Sequence, residues 1–138
     1  MNEQLRQQVW SRAEDTCEYC HMPQQLDPLP FGVDHIRPQY HHGPTVASNL
    51  ALACFNCNTF KGTNIAGYAP ETSDMHPLFN PRTQSWDEHF WWNGPELKGK
   101  TPIGDTTINV LRINLPERVE QRRLLIATGS LPRRNTGD

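Results

Sequence analysis

The chain has almost no net charge and no long apolar run. Over 138 residues the formal charge is −2, which excludes a protein that coats nucleic acid by bulk electrostatics alone. No stretch approaches the roughly 18 consecutive apolar residues that a membrane span requires. The opening Met1-Asn2-Glu3-Gln4 is polar and lacks the basic-then-apolar profile of a secretory signal. The expectation is therefore a cytoplasmic protein with no membrane contact. There is no internal repeat and no low-complexity tract, and the length suits one domain better than two.

No cysteine lies outside two Cys-x-x-Cys pairs, Cys17/Cys20 and Cys54/Cys57. In a reducing compartment two disulfides are disfavoured. A thioredoxin-like redox site would use one pair beside a βαβ pattern, which is absent. Four thiolates around a tetrahedral Zn²⁺ satisfy both pairs at once, so a structural zinc site is expected. An iron site of the rubredoxin kind has the same ligand count but lacks here the glycines that normally follow its cysteines.

The pattern of elements predicts an α+β fold. Leu5, Val9, Trp10 and Ala13 recur at helical spacing over 3–15. Phe31-Gly32-Val33-Asp34-His35-Ile36 has the short β-favouring character of a strand ended by Pro38. A long loop over 37–48 follows, of a length usually kept for function. Asn49–Cys54 reads as a second strand and 56–64 as a short helix. Beyond it, 68–104 is rich in Pro, Gly and aromatics. Strands are expected over Ser85–Trp92 and Thr106–Ile113, then a helix capped by Asn114, starting at Leu115-Pro116 and running towards Gly129. The chain after Leu131 is expected to fray. The division expected is a core over 1–67 and an accessory extension over 68–138 packed on it, as one domain.

Charge is uneven: 1–94 hold five Lys/Arg against ten Asp/Glu, and 95–138 hold eight against five. Arg118, Arg122, Arg123, Arg133 and Arg134 dominate the basic third, which reads either as a phosphate-facing surface or as an ordinary solvated helix.

Asp34, His35, Asn49 and Asn58 carry the chemistry. Phosphodiester hydrolysis needs a deprotonated nucleophile, charge offset on the phosphate and stabilisation of the leaving oxygen, and one divalent cation serves the last two. The Asp34 carboxylate and the Asn58 amide carbonyl together make an open, oxygen-rich site suited to a hard cation. Imidazole changes charge near neutral pH, so His35 can take a proton from water. Neighbours on a strand point to opposite faces, so Asp34 and His35 can share a site only where the strand ends or twists, as Pro38 allows. Asn49 is placed to fix the loop and the imidazole.

The set Cys17-x-x-Cys20, Val33-Asp34-His35-Ile36-x-Pro38, Asn49-Leu50-x-Leu52, Cys54-x-x-Cys57-Asn58 and Lys61-Gly62 resembles the HNH endonuclease family with its ββα-metal core, over roughly residues 10–65. The resemblance implies that His35 is the general base, that Asp34 and Asn58 bind the catalytic Mg²⁺ or Mn²⁺, and that Asn49 braces the base. It also implies a four-cysteine zinc knuckle and cleavage to 5′-phosphate and 3′-hydroxyl ends. Many members carry His where this chain has Asn58, so this is an HNN variant, and an amide ligand favours Mg²⁺ or Mn²⁺ over Zn²⁺ or Ni²⁺. Two glycines often found in the family's loop are replaced by His41-His42-Gly43-Pro44.

The substrate expected is nucleic acid, DNA above all. Lys61, Arg37, His41 and His42 are candidate contacts to it, and specificity is expected from a protein partner or a homodimer. Trp86, Trp91 and Trp92 read either as base-stacking platforms or as cover for the core. His21 finds no vacancy among four cysteines, and His76 and His89 read as structural. A non-catalytic zinc-knuckle module that binds nucleic acid or protein is the alternative. It accounts for the cysteines but not for Asp34, His35 and Asn58 in register with them.

Overall fold

The computed structural model describes residues 1–132. Arg133, Arg134 and most of the segment expected to fray after Leu131 lie outside the described residues. The chain divides into two compact units. One comprises Met1–Ile65 with Asn80–Gln84, and the other Ala66–Phe79 with the chain from Ser85 onward. Helices and small antiparallel sheets are mixed, so the fold class is α+β.

In the first unit, helix α1 spans Glu3–Arg12, and the Asn2 side chain caps it by accepting the Leu5 N–H at 2.7 Å. It stops short of the 15 expected because Glu14 and Asp15 both adopt left-handed backbone, φ 52° and 55°. Strand β1 (Gly32–His35) pairs antiparallel with β2 (Leu50–Ala53), with Asp34 opposite Ala51 and His35 opposite Leu50. All four residues of β2 are buried. Helix α2 (Phe55–Lys61) follows at once, its first turn capped by the Cys54 sulfur, which accepts the Cys57 N–H at 3.3 Å. This is the expected ββα arrangement.

The Cys17–Cys20 loop is pinned to the outer edge of β2. The Glu18 N–H donates to the Leu52 carbonyl at 2.9 Å, and the Leu52 N–H returns to the Glu18 carboxylate at 2.8 Å. Glu18 also pairs with Arg82, and the Arg12 guanidinium donates to the carbonyls of Ala47 and Leu50.

The second unit is built from β3 (Ala66–Tyr68) with β4 (Met75–Pro77), helix α3 (Trp86–His89), β5 (Phe90–Asn93) with β6 (Glu96–Gly99), α4 (Pro102–Val110) and α5 (Pro116–Ala127). Two expectations change here. Ser85–Trp92 is one helical turn followed by a strand. Thr106–Ile113 is mostly helix, because Thr101 caps α4 by accepting the Gly104 N–H at 3.1 Å and Pro102 occupies the first turn. That local start signal overrides the β-branched pattern. Thr107, buried, closes its hydroxyl onto the Ile103 carbonyl at 2.7 Å.

Helix α5 forms where expected, but Asn114 does not cap it. Its amide instead accepts the Leu97 N–H at 3.0 Å and donates to the Leu97 carbonyl at 2.8 Å, and Leu115 holds the cap position with no side-chain bond. The basic face expected on this helix is largely closed, since Arg118 and Arg122 are 7 % and 1 % exposed. Arg122 donates to the carbonyls of Pro95 and Ile113 and to Asn114 Oδ1, and it lies 5.4 Å over the Trp92 ring. Trp92 is buried, Trp86 and Trp91 are half-buried, and His89 meets Thr101 through Nδ1 at 2.6 Å. Among the described residues no helix is long and apolar enough to cross a membrane.

Candidate metal centres and catalytic pocket

The four cysteines converge. Their sulfurs all lie within 4.8 Å of one another, every one is buried, and none is in a disulfide. Cys20 and Cys54 Sγ are 3.7 Å apart. A tetrahedral zinc with Zn–S of about 2.3 Å sets sulfur pairs about 3.8 Å apart, so the cluster fits a structural zinc ion. Backbone N–H groups of Cys20 and Cys57 point at the sulfurs of Cys17 and Cys54 at 3.5 and 3.3 Å, a polar cradle for thiolates. Burial foremost, with hydrogen bonds from neighbouring thiols, pushes Cys17 well up. For Cys57 hydrogen bonds among the thiols lead and burial adds. Without a cation the Cys17 and Cys57 thiols favour their protonated form, and a bound Zn²⁺ reverses that preference. His21 stands outside the cluster, with left-handed backbone at φ 63°.

The second feature is a pocket of about 290 Å³ lined by Val33, Asp34, His35, Pro38, Gln39, Tyr40, Asn58, Gly62 and Thr63. Asp34, His35 and Asn58 therefore meet at one cavity, although the first two are neighbours on a strand. The meeting occurs at the last residues of β1, where pairing with β2 ends at His35 and Leu50. Gly32 gives Asn58 its room, since a Cβ there would stand 3.3 Å from Asn58 Nδ2. Asp34 and Asn58, which both line this pocket, carry oxygen atoms of the kind a hard divalent cation takes as ligands.

Asp34 is 4 % exposed and doubly held. Tyr19 donates its hydroxyl to Oδ2 at 2.7 Å, and the Lys61 ammonium donates to Oδ1 at 3.1 Å. Burial pushes the Asp34 carboxyl up, while the Lys61 charge and the Tyr19 and Lys61 hydrogen bonds pull it back down. Tyr19 is pushed well up by burial and by the Asp34 charge, so its phenol stays a donor.

Lys61 takes a different place from that of a phosphate contact. It is 1 % exposed, and its ammonium reaches Asp34 Oδ1 and the carbonyls of His35 and Ile36 at 3.1, 3.0 and 3.1 Å. A lysine ammonium has three N–H groups, and three acceptors surround this one inside the fold.

His35 is half-buried, and its Nε2 lies 2.9 Å from the Thr45 hydroxyl. Thr45 is the group that touches the imidazole, and nothing in the sequence pattern singled it out. Asn49 lies outside the pocket lining and binds the loop: its side chain holds Arg37 and Pro44, and its carbonyl accepts the Ile36 N–H at 2.8 Å. The stretch His41-His42-Gly43-Pro44 turns the loop through two residues. His42 adopts left-handed backbone, φ 63°, and Gly43 packs directly under the Arg37 carbonyl. Arg37 and His42 are exposed, whereas His41 is half-buried with Nε2 2.9 Å from the Thr63 carbonyl. Tyr40, 77 % exposed at the pocket rim, is a second residue that the sequence pattern did not single out.

With this geometry in place, comparison with known proteins gives a consistent result. Residues 17–64 match the HNH endonuclease family, a span that holds all four cysteines, Asp34, His35, Asn49 and Asn58. The chain is also similar to Septu protein PtuB of Bacillus thuringiensis, 29 % identical over 121 residues, covering 86 % of this chain and 44 % of that protein. The chain thus spans less than half the length of that relative. No solved structure matches it.

Proposed function

From an HNH endonuclease domain at residues 17–64, we propose that the protein is a divalent-metal-dependent endonuclease that hydrolyses phosphodiester bonds, with DNA as substrate. The observation that carries this reading is the convergence of Asp34, His35 and Asn58 on one pocket beside a four-cysteine cluster.

In this reading His35 is the general base. When its Nε2–H donates to Thr45, the ring's lone pair lies on Nδ1, ready to take a proton from water. Asp34 and Asn58 hold Mg²⁺ or Mn²⁺, which when bound offsets charge on the scissile phosphate and stabilises the departing 3′ oxygen. Asn49 keeps the loop that carries Thr45 in place and so braces the imidazole. Attack by water in line with the 3′ oxygen leaves 5′-phosphate and 3′-hydroxyl ends. The core over 1–67 is assigned the chemistry and 68–138 an accessory role. Arg37, His41 and His42 are assigned to the strand that crosses the pocket. One pocket cuts one strand, so a protein partner or a second copy is assigned the pairing of cuts and the specificity, and the cytoplasm is assigned as the site of action.

The test is nicking of supercoiled plasmid with Mg²⁺ or Mn²⁺ by the full chain and by His35→Ala. Loss of about 10²-fold or more in the variant is expected from removing a general base. Equal cleavage by both proteins would sink the assignment.

A further inference from the structure

The carboxylate proposed as the main metal ligand is held from the two sides of the cysteine cluster. Tyr19 sits between Cys17 and Cys20, and is 1 % exposed. Its hydroxyl lies 2.7 Å from Asp34 Oδ2. Lys61 ends the helix that begins at Phe55 under the Cys54 cap and contains Cys57, and its ammonium lies 3.1 Å from Asp34 Oδ1. The two cysteine pairs thus each bring one donor to one carboxylate oxygen.

An ion pair this deep contributes little net stability by itself, because desolvation offsets much of the attraction. Its geometry is more telling than its energy. A carboxylate offers about four lone-pair directions, and Tyr19 and Lys61 take two, so two remain for other partners. Asp34 lines the pocket with Asn58. The same ammonium also grips the carbonyls of His35 and Ile36, so the strand end that bears the base is fixed with the ligand.

We infer that Tyr19 and Lys61 are positioning residues that fix the angle of the Asp34 carboxylate as a ligand for the divalent cation, so that the cysteine cluster sets the geometry of the pocket. The inference rests on the proposed nuclease reading of Asp34. Tyr19→Phe keeps the ring in the core and removes one donor to Asp34. Lys61→Arg keeps the charge but replaces a single nitrogen with a planar fork that cannot reproduce the same three bonds.

The experiment is Mn²⁺ titration of the zinc-loaded full chain without nucleic acid, read by the electron paramagnetic resonance of free Mn²⁺. Zinc content and circular dichroism are recorded in parallel, and wild type, Tyr19→Phe, Lys61→Arg and Asp34→Ala are compared. Loss of a partner that orients a metal ligand typically weakens affinity about 10–100-fold. The expected result is a weakening of that size in Tyr19→Phe and Lys61→Arg at unchanged zinc content, and recovery of Tyr19→Phe nicking at raised Mn²⁺. Wild-type Mn²⁺ affinity in either zinc-loaded positioning variant overturns the inference while leaving Asp34 as ligand. Wild-type affinity in Asp34→Ala overturns the metal-site reading and the inference with it.

Discussion

Arg37 and Asn49 hold each other in both directions. The Arg37 N–H donates to Asn49 Oδ1 at 2.9 Å, and Asn49 Nδ2 donates back to the Arg37 carbonyl at 3.0 Å. The same Nδ2 reaches the Pro44 carbonyl at 2.8 Å, so one side chain ties both ends of the turn after β1. Asn49→Ala removes all three bonds and frees the segment that carries Thr45 to His35. These bonds are solvent-accessible, so the stability cost is modest, about 1–2 kcal/mol. The expected effect on cleavage is larger than on Mn²⁺ affinity, because Thr45 of this loop meets His35, the proposed base, whereas the Asp34 carboxylate is held by Tyr19 and Lys61. Urea midpoints, nicking rates and Mn²⁺ titration measure the three effects, and an equal loss in rate and affinity would contradict this division.

Gly43 makes a related prediction. A Cβ at that position runs into the Arg37 carbonyl oxygen and would sit 3.0 Å from Asn49 Nδ2. The nearest obstacle is backbone, which cannot rotate aside. Gly43→Ala therefore forces the Arg37–Asn49 pair apart, at a cost of about 1–3 kcal/mol as in other overpacked sites. Thermal melting reads this directly, and a melting temperature equal to wild type would show that the turn yields at no cost.

The cysteine cluster should behave as part of the fold. Each sulfur is buried, and the Cys17–Cys20 loop is fastened to β2 through Glu18 and Leu52. A structural zinc contributes folding free energy outright. Cys17→Ser or Cys54→Ser, or prolonged chelation, should remove zinc and unfold the first unit rather than only slow cleavage. Zinc content with circular dichroism checks this. A zinc-free protein with native spectrum and melting temperature would refute it.

The first unit was legible because its signals are local and chemical. Cysteine spacing, the Asp34-His35 dipeptide and Asn58 each announce themselves in the sequence, and β1, β2 and α2 lie within a residue or three of where the pattern puts them. What the sequence concealed was which side chains those residues meet. Lys61 looks like a solvated cation one turn after Asn58, yet its stem carries the ammonium inward to a carboxylate 27 residues earlier in the chain. Tyr19 and Thr45 have no motif value until the fold brings them to Asp34 and His35. In the second unit the error was of another kind. Over Thr106–Ile113 the β-branched residues suggested alternation, but Thr106 and Thr107 are both buried and the Thr101-Pro102 start decided for helix. Here capping competed with propensity, and capping won.

Arg122 and Arg123 give the last prediction, since adjacent arginines on α5 face opposite environments. Arg123 is exposed and pairs with Glu120 one turn earlier. Exposed pairs of this kind contribute little, so Arg123→Ala should leave the melting temperature unchanged within error. Arg122 is 1 % exposed, and its guanidinium joins the Pro95 and Ile113 carbonyls, Asn114 and the face of Trp92. Truncation takes the donor away from the Pro95 and Ile113 carbonyls, while Asn114 Oδ1 keeps the Leu97 N–H, and it empties the volume of the stem, a loss of about 2–4 kcal/mol. The comparison is two single variants in one thermal-melt series, with Trp fluorescence, to which Trp92 contributes among four tryptophans, recorded alongside. Equal melting temperatures for both variants would mean that Arg122 is no anchor of the second unit, and would reopen α5 as a basic surface.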